Sequence, residues 1–216
     1  MTDRRKPAIS VRKQPRQARS AELVATILEA AVRVLAQEGA GRFTTARVAE
    51  KAGVSVGSLY QYFPNKAAIL FRLQHDEWRQ NTDMLRAILE DTSRPPPERL
   101  RRLVHAFIRS ECEEAAMREA LEDAAPLYRD APEARAAKAS GEHIIRTFLR
   151  EALPGAPDAT VASTAGLIKA TLSAVGRQFS GTPRTPDEIA SHAEAMSDMF
   201  CAYLERLDGR HRGSMA

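Results

Sequence analysis

Residues Thr44–Lys66, TTARVAEKAGVSVGSLYQYFPNK, constrain the fold of this chain more than any other stretch. They divide into two short helical runs around a break. Thr44 and Thr45 offer hydroxyls for the free N–H groups of a first turn. Val48, Ala49 and Ala52 recur at helical spacing and form an apolar face. Gly53 suits a left-handed stop, Ser55 suits a second cap, and Pro64 prevents the second run from extending past about Tyr62. Two helices joined by a few residues containing glycine are the pattern of a helix-turn-helix. In that motif the second helix enters the major groove of DNA. Val56 and Leu59 are apolar, three apart, and can pack inward. Gly57 would let DNA approach the backbone, and Ser58, Tyr60, Gln61 and Tyr62 carry hydrogen-bonding tips. The second run has no carboxylate, as a phosphate-facing helix requires. A surface hairpin bearing two ordinary tyrosines is the plainer alternative.

The stretch resembles the DNA-binding domain of the TetR family of bacterial transcription regulators. The matching residues are Phe43-Thr44-Thr45, Val48-Ala49, Ala52-Gly53-Val54-Ser55, Gly57, Leu59-Tyr60, Tyr62-Phe63, Asn65-Lys66 and Leu70. The likeness covers roughly residues 20–75 and implies an all-α chain. It further implies that Thr45, Ser55, Tyr60, Tyr62 and Lys66 contact phosphates. Gly57, Ser58 and Gln61 would face base edges, with Gln61 the best reader because its amide can pair with adenine. Thr44 and Val56 belong to the same DNA-binding set, and Arg47 adds a phosphate or base contact.

Charge supports a polyanion partner at one end of the chain. Residues 1–66 hold 12 Lys and Arg against 5 Asp and Glu, and the remainder holds 20 against 23. Residues 1–19, with seven basic side chains and one acidic, read as a disordered arm, Arg12, Lys13, Arg16 and Arg19 being the better phosphate candidates. A solubilising tail is the alternative for its first ten residues.

Residues 20–38 predict an amphipathic helix whose stripe is Leu23, Ile27, Ala30 and Val34, ended by Gly39 and Gly41. A long helix is predicted over 66–91. Its first turns (Ile69, Leu70, Leu73) belong to the DNA-binding core and its later part (Trp78, Leu85, Ile88, Leu89) to the next domain. The run Ser93–Glu98 reads as a stiff linker. Helices follow over 98–114, 115–124 and 133–153, with an irregular segment at 126–132. In the last two helices Val161, Ala165, Ile168, Leu172, Val175 and Phe179, and Ile189, Ala193, Met196, Phe200, Tyr203 and Leu207, recur at steps of 4, 3, 4, 3, 4. These are seams at coiled-coil spacing. They face either a second copy or the domain's own core. Ala162, Ser163, Gly166, Ala170, Ser173 and Ala174 would let helices approach closely. The resemblance favours a homodimer through Ile168, Leu172, Val175, Phe179, Met196, Phe200 and Tyr203.

The expected architecture has about nine helices. Residues 1–19 are the arm and 20–66 a three-helix helix-turn-helix domain running into the first turns of the 66–91 helix. Residues 67–208 form a helical ligand-binding and dimerisation domain, and 209–216 a frayed tail. No apolar stretch is long enough to cross a membrane, and no secretory signal opens the chain. Cys112 and Cys201 make no disulfide framework and fit a reducing cytosol. The expected location is the cytoplasm. No HExxH, CxxC or phosphate-cradling glycine loop is present, so neither enzymatic activity, nor a metal, nor a cofactor is expected. A small α-helical enzyme is the rival from another class. The resemblance implies a repressor on a palindromic double-stranded operator, released by a small-molecule inducer. A DNA-binding dimer without an inducer is the other alternative. Trp78, Phe107, Tyr128, His143 and Phe148 are the candidate ligand residues.

Overall fold

A computed structural model describes residues 18–115, 117, 118, 121 and 131–213. All regular structure among them is helical, apart from turns and one 3-10 turn at Ala40–Arg42. The helices are α1 (Ala18–Glu38), α2 (Thr45–Ala52), α3 (Val56–Tyr62), α4 (Lys66–Leu89), α5 (Pro96–Glu113), α6 (Pro132–Ala152), α7 (Asp158–Ser180) and α8 (Pro186–Gly213). Residues 1–17 of the basic arm and most of the helix predicted over 115–124 lie outside the described residues, while Ala18 and Arg19, predicted as part of the arm, open α1.

The chain forms two compact units, Met1–Trp78 with Ala116–Arg135, and Arg79–Ala115 with Ala136–Ala216. The division falls inside α4, which contributes to both. In the first unit, Val24, Ile27, Ala31, Val34 and Leu35 of α1 pack with Val48 and Ala49 of α2, Leu59 of α3, and Ile69 and Leu70 of α4. Phe43 and Phe63 are fully enclosed at the ends of this helical pair. Trp78 packs here as well, not in the second unit as its place in the later part of α4 suggests.

In the second unit, Leu100, Leu103, Val104 and Ile108 of α5 share a core with Ile144, Phe148 and Leu149 of α6 and with α7 and α8. The seams of α7 and α8 are turned into this core. Ile168, Leu172, Met196 and Phe200 are buried in it, and Val175, Phe179 and Tyr203 pack against it. Of the predicted dimer residues, Ile168, Leu172, Met196 and Phe200 are thus taken up by the domain's own core, whereas Val175, Phe179 and Tyr203 keep partial exposure.

Three boundaries also differ from prediction. Pro96 and Pro97 are not linker but the first turn of α5. A proline costs nothing there, because first-turn N–H groups have no partner within the helix. The helix α8 runs through Gly209 to Gly213, so the predicted frayed tail is helical up to that residue. The helix α4 ends at Leu89, two residues early, where the buried Arg99 guanidinium donates to the Leu89 carbonyl at 2.6 Å.

Between α7 and α8, the Phe179 and His192 rings stack at 3.9 Å, and the Arg184 guanidinium lies over Phe179 at 4.6 Å. Burial, and secondarily the Arg184 charge, hold the His192 pKa below its ordinary 6.5. The folded state thus prefers the neutral ring, while the unfolded chain takes up a proton near pH 6.5. The resulting stability is present in full above that pH and is lost as pH falls through the lower folded value. Thermal unfolding of wild type should therefore drop more between pH 7.5 and about 5 than that of His192→Gln. Equal drops would rule out this contribution.

Candidate nucleic-acid interface

The local chemistry of α2 and α3 follows the sequence closely. Thr44 caps α2, its Oγ1 accepting from the Arg47 N–H at 3.3 Å. Gly53 adopts φ 68°, ψ 28°, and its N–H satisfies carbonyls at the end of α2. Only glycine takes that left-handed conformation without a Cβ clash. Ser55 caps α3, its Oγ accepting from the Ser58 N–H at 3.0 Å. The two helices are pinned by a hydroxyl pair, Thr45 Oγ1 to Tyr60 Oη at 3.1 Å.

The outer face of this pair carries Thr44, Arg47, Ser55, Val56, Gly57, Tyr60 and Gln61, all exposed, with Thr45 and Ser58 half-buried beside them. Lys66 is exposed at the start of α4, where Asn65 Oδ1 accepts from the Ala68 N–H at 2.9 Å. Ten of the eleven predicted residues are therefore exposed or half-exposed in the first unit. Tyr62 is the exception. It is 6% exposed and its ring belongs to the first core, so at most its phenolic tip reaches outward. Val56 departs from prediction in the opposite sense: it is 39% exposed and does not pack inward.

Two residues that sequence reasoning missed act on this surface. Glu38, at the end of α1, forms an ion pair with Arg47, and Gln37 Oε1 accepts from Lys51 Nζ at 3.2 Å. Both contacts join residues nine or more positions apart, a separation that no helical spacing flags.

Residues 27–73 match the family model described as bacterial regulatory proteins, tetR family. Residues 95–207, more than half of the chain, match the one described as tetracyclin repressor-like, C-terminal domain. The chain belongs to the TetR family. It is a DNA-binding transcription regulator, and the surface of α2 and α3 is its helix-turn-helix.

Solved structures of other regulators share the fold. A regulator from Mesorhizobium loti superposes with a TM-score of 0.66 at 18% identity, over 87% of this chain and 98% of that one. The fatty acid degradation regulator FadR from Bacillus halodurans gives 0.64 at 16% identity, over 87% and 96%. PfmR from Thermus thermophilus gives 0.60 at 23%, over 81% and 96%. Among curated proteins, the nucleoid occlusion factor SlmA of Vibrio campbellii is 35% identical over 83 residues, 38% of this chain. The match spans only 42% of that relative's length.

The predicted ligand residues are divided between the two units. Trp78 lies in the first unit, edge-to-face with Phe71 at 6.4 Å. Phe107 and Phe148 lie in the second. Phe148 is 3% exposed, with the Arg99 guanidinium 5.4 Å from its ring centre. His143 is exposed on α6, contrary to a role inside a pocket, because it falls on a different helix face from the buried Ile144 and Phe148. Tyr128 lies outside the described residues. The second unit does hold a cavity of about 270 Å³, lined by Pro96, Leu100, Glu151, Cys201 and Leu204 among others, none of them predicted. Burial pushes both the Cys112 and the Cys201 thiols up, which disfavours the reactive thiolate. No group of metal-ligating side chains occurs among the described residues, and no helix among them is long and apolar enough to cross a membrane.

Proposed function

We propose that this TetR-family protein is a cytoplasmic homodimeric repressor that holds a palindromic operator through one helix-turn-helix per half-site and is released by a small-molecule inducer. The observation that carries the operator reading is the exposure pattern of α3. Leu59 is fully buried while Val56, Tyr60 and Gln61 face outward, so the helix is anchored on one side and presented on the other. Thr45, Ser55, Tyr60 and Lys66 fit phosphate contacts, which fix register without reading sequence. Gln61 fits adenine in the groove. Dimerisation fits the outer faces of α7 and α8, where Leu167 is 48% and Met199 50% exposed. Gly166, Ala170, Ala195 and Ala202 flank them, all exposed and small, so a second copy could come close. The support for inducer control is α4, whose first residue, Lys66, is exposed next to the helix-turn-helix in the chain and whose Leu89 end is held by Arg99 in the second core. A ligand shifts that balance only if it binds the two states with different affinity.

Fluorescence anisotropy on a selected operator tests the DNA face. Gln61→Ala should relax preference at one base pair at a cost of about 1–3 kcal/mol. Lys66→Ala should weaken all sequences alike and lower the salt slope by about one. Unchanged affinity in both variants would place the DNA contact on another surface. Native mass spectrometry of freshly purified protein reports dimer mass and any retained inducer together.

A further inference from the structure

Reading a base directly requires an exposed side chain whose tip is not already committed. On α3 most tips are committed. The Ser55 hydroxyl accepts from the Ser58 N–H and pairs with the Ser58 hydroxyl at 2.8 Å. The Tyr60 hydroxyl is shared with Thr45. Gly57 has no side chain, and a Cβ there would meet only Ser55 Oγ, at 3.7 Å. Gln61 keeps an exposed amide. The remaining exposed surface of the helix is apolar: the Val56 side chain, 39% exposed, and the Tyr60 ring, 40% exposed.

Val56 is the first residue of α3 and takes no part in the first core, which the helix enters through Leu59 and Tyr62. A valine in a helix has essentially one χ1 rotamer, so its two methyls are preset. Tyr60 follows four residues later on the same stripe, about 6 Å along the axis. The open Gly57 between the stripes has no Cβ to hold DNA away. Phosphates and most base edges are polar and offer an isopropyl group nothing. The exception in the major groove is the C5-methyl group of thymine.

We infer that Val56 is a specificity-determining residue that reads a thymine C5-methyl in each operator half-site, with the Tyr60 ring beside it and Gln61 supplying the hydrogen-bonded reading from the neighbouring stripe. This rests on the operator reading above. It implies that preference at one base pair survives without any hydrogen bond to that base.

The test begins with selection of an operator from random duplexes by the full-length protein. Each thymine of the half-site is then replaced in turn by deoxyuridine, which keeps pairing and removes only the methyl group. At one thymine per half-site, wild type should lose affinity by about fourfold, the value of one buried methyl. The same replacement should be silent for Val56→Ala, whose folding is checked by circular dichroism. A consensus in which no thymine responds to deoxyuridine overturns the inference and leaves the operator reading standing. So does a response that is undiminished in Val56→Ala. Failure of selection to yield any consensus overturns the operator reading, and this inference with it.

Discussion

Leu167→Glu combined with Met199→Glu should abolish the proposed dimer and leave a folded monomer. Both side chains are about half exposed on the outer faces of α7 and α8, so neither substitution disturbs the packed seams. Placed against a second copy of itself, however, the patch gathers four glutamates, because an isologous interface presents the same patch from both subunits. Like charges in a desolvated contact oppose association strongly. Multi-angle light scattering should then report the 23.8 kDa chain in place of twice that mass. Operator affinity should fall by about 10²–10⁴-fold, since each half-site would be held by a single module without the gain from linkage. A variant that stays dimeric with unchanged affinity would move the interface to another surface. The predicted alternative, Ile168→Glu or Phe200→Glu, should instead unfold the second unit, because those side chains are buried in its own core.

Arg99→Ala should destabilise the second unit by about 2–4 kcal/mol, the cost of an unsatisfied buried carbonyl together with a void in the core. Arg99 is 1% exposed. It donates to the Leu89 carbonyl at 2.6 Å, forms an ion pair with Glu151, and lies over the Phe148 ring. The Leu89 carbonyl is one of the last in α4, which have no acceptor role left within the helix. Removing the guanidinium leaves that carbonyl without its donor and a void beside Phe148. Glu151→Gln should cost much less, about 1 kcal/mol, because Glu151 is half exposed and an amide still accepts from Arg99. Urea titration followed by far-ultraviolet circular dichroism, with the slope held unchanged, measures both. A loss under about 1 kcal/mol for Arg99→Ala would show that α4 is held in this core by apolar packing alone.

The parts of this protein that the sequence made legible are those governed by near neighbours in the chain. Thr44, Gly53 and Ser55 act within one turn of where they stand, so their roles as cap, left-handed stop and cap could be read from residue type and spacing. The same holds for the α1 stripe, whose Ile27 and Val34 are buried as their period requires. Asn65 likewise caps α4 three residues ahead. The density of matches in Thr44–Lys66 also carried the family, because that motif is continuous in the chain.

Where periodicity identified a face but not its partner, only the tertiary structure could decide. The steps of 4 and 3 in α7 and α8 mark an apolar seam equally well for a neighbouring subunit and for the protomer's own α5 and α6. Burial of Ile168, Leu172, Met196 and Phe200 shows that they serve the latter, while small residues such as Gly166, Ala170 and Ala202 stay exposed between them. Val56 presented the same ambiguity on a smaller scale: three residues from Leu59, it shares its hydropathy but not its burial, because a helix of seven residues can bury only one side. Arg99 gave no sign at all. Its partners Leu89, Phe148 and Glu151 lie 10, 49 and 52 positions away, and a charge that folding draws inside looks, in the sequence, like any other arginine on a basic helix.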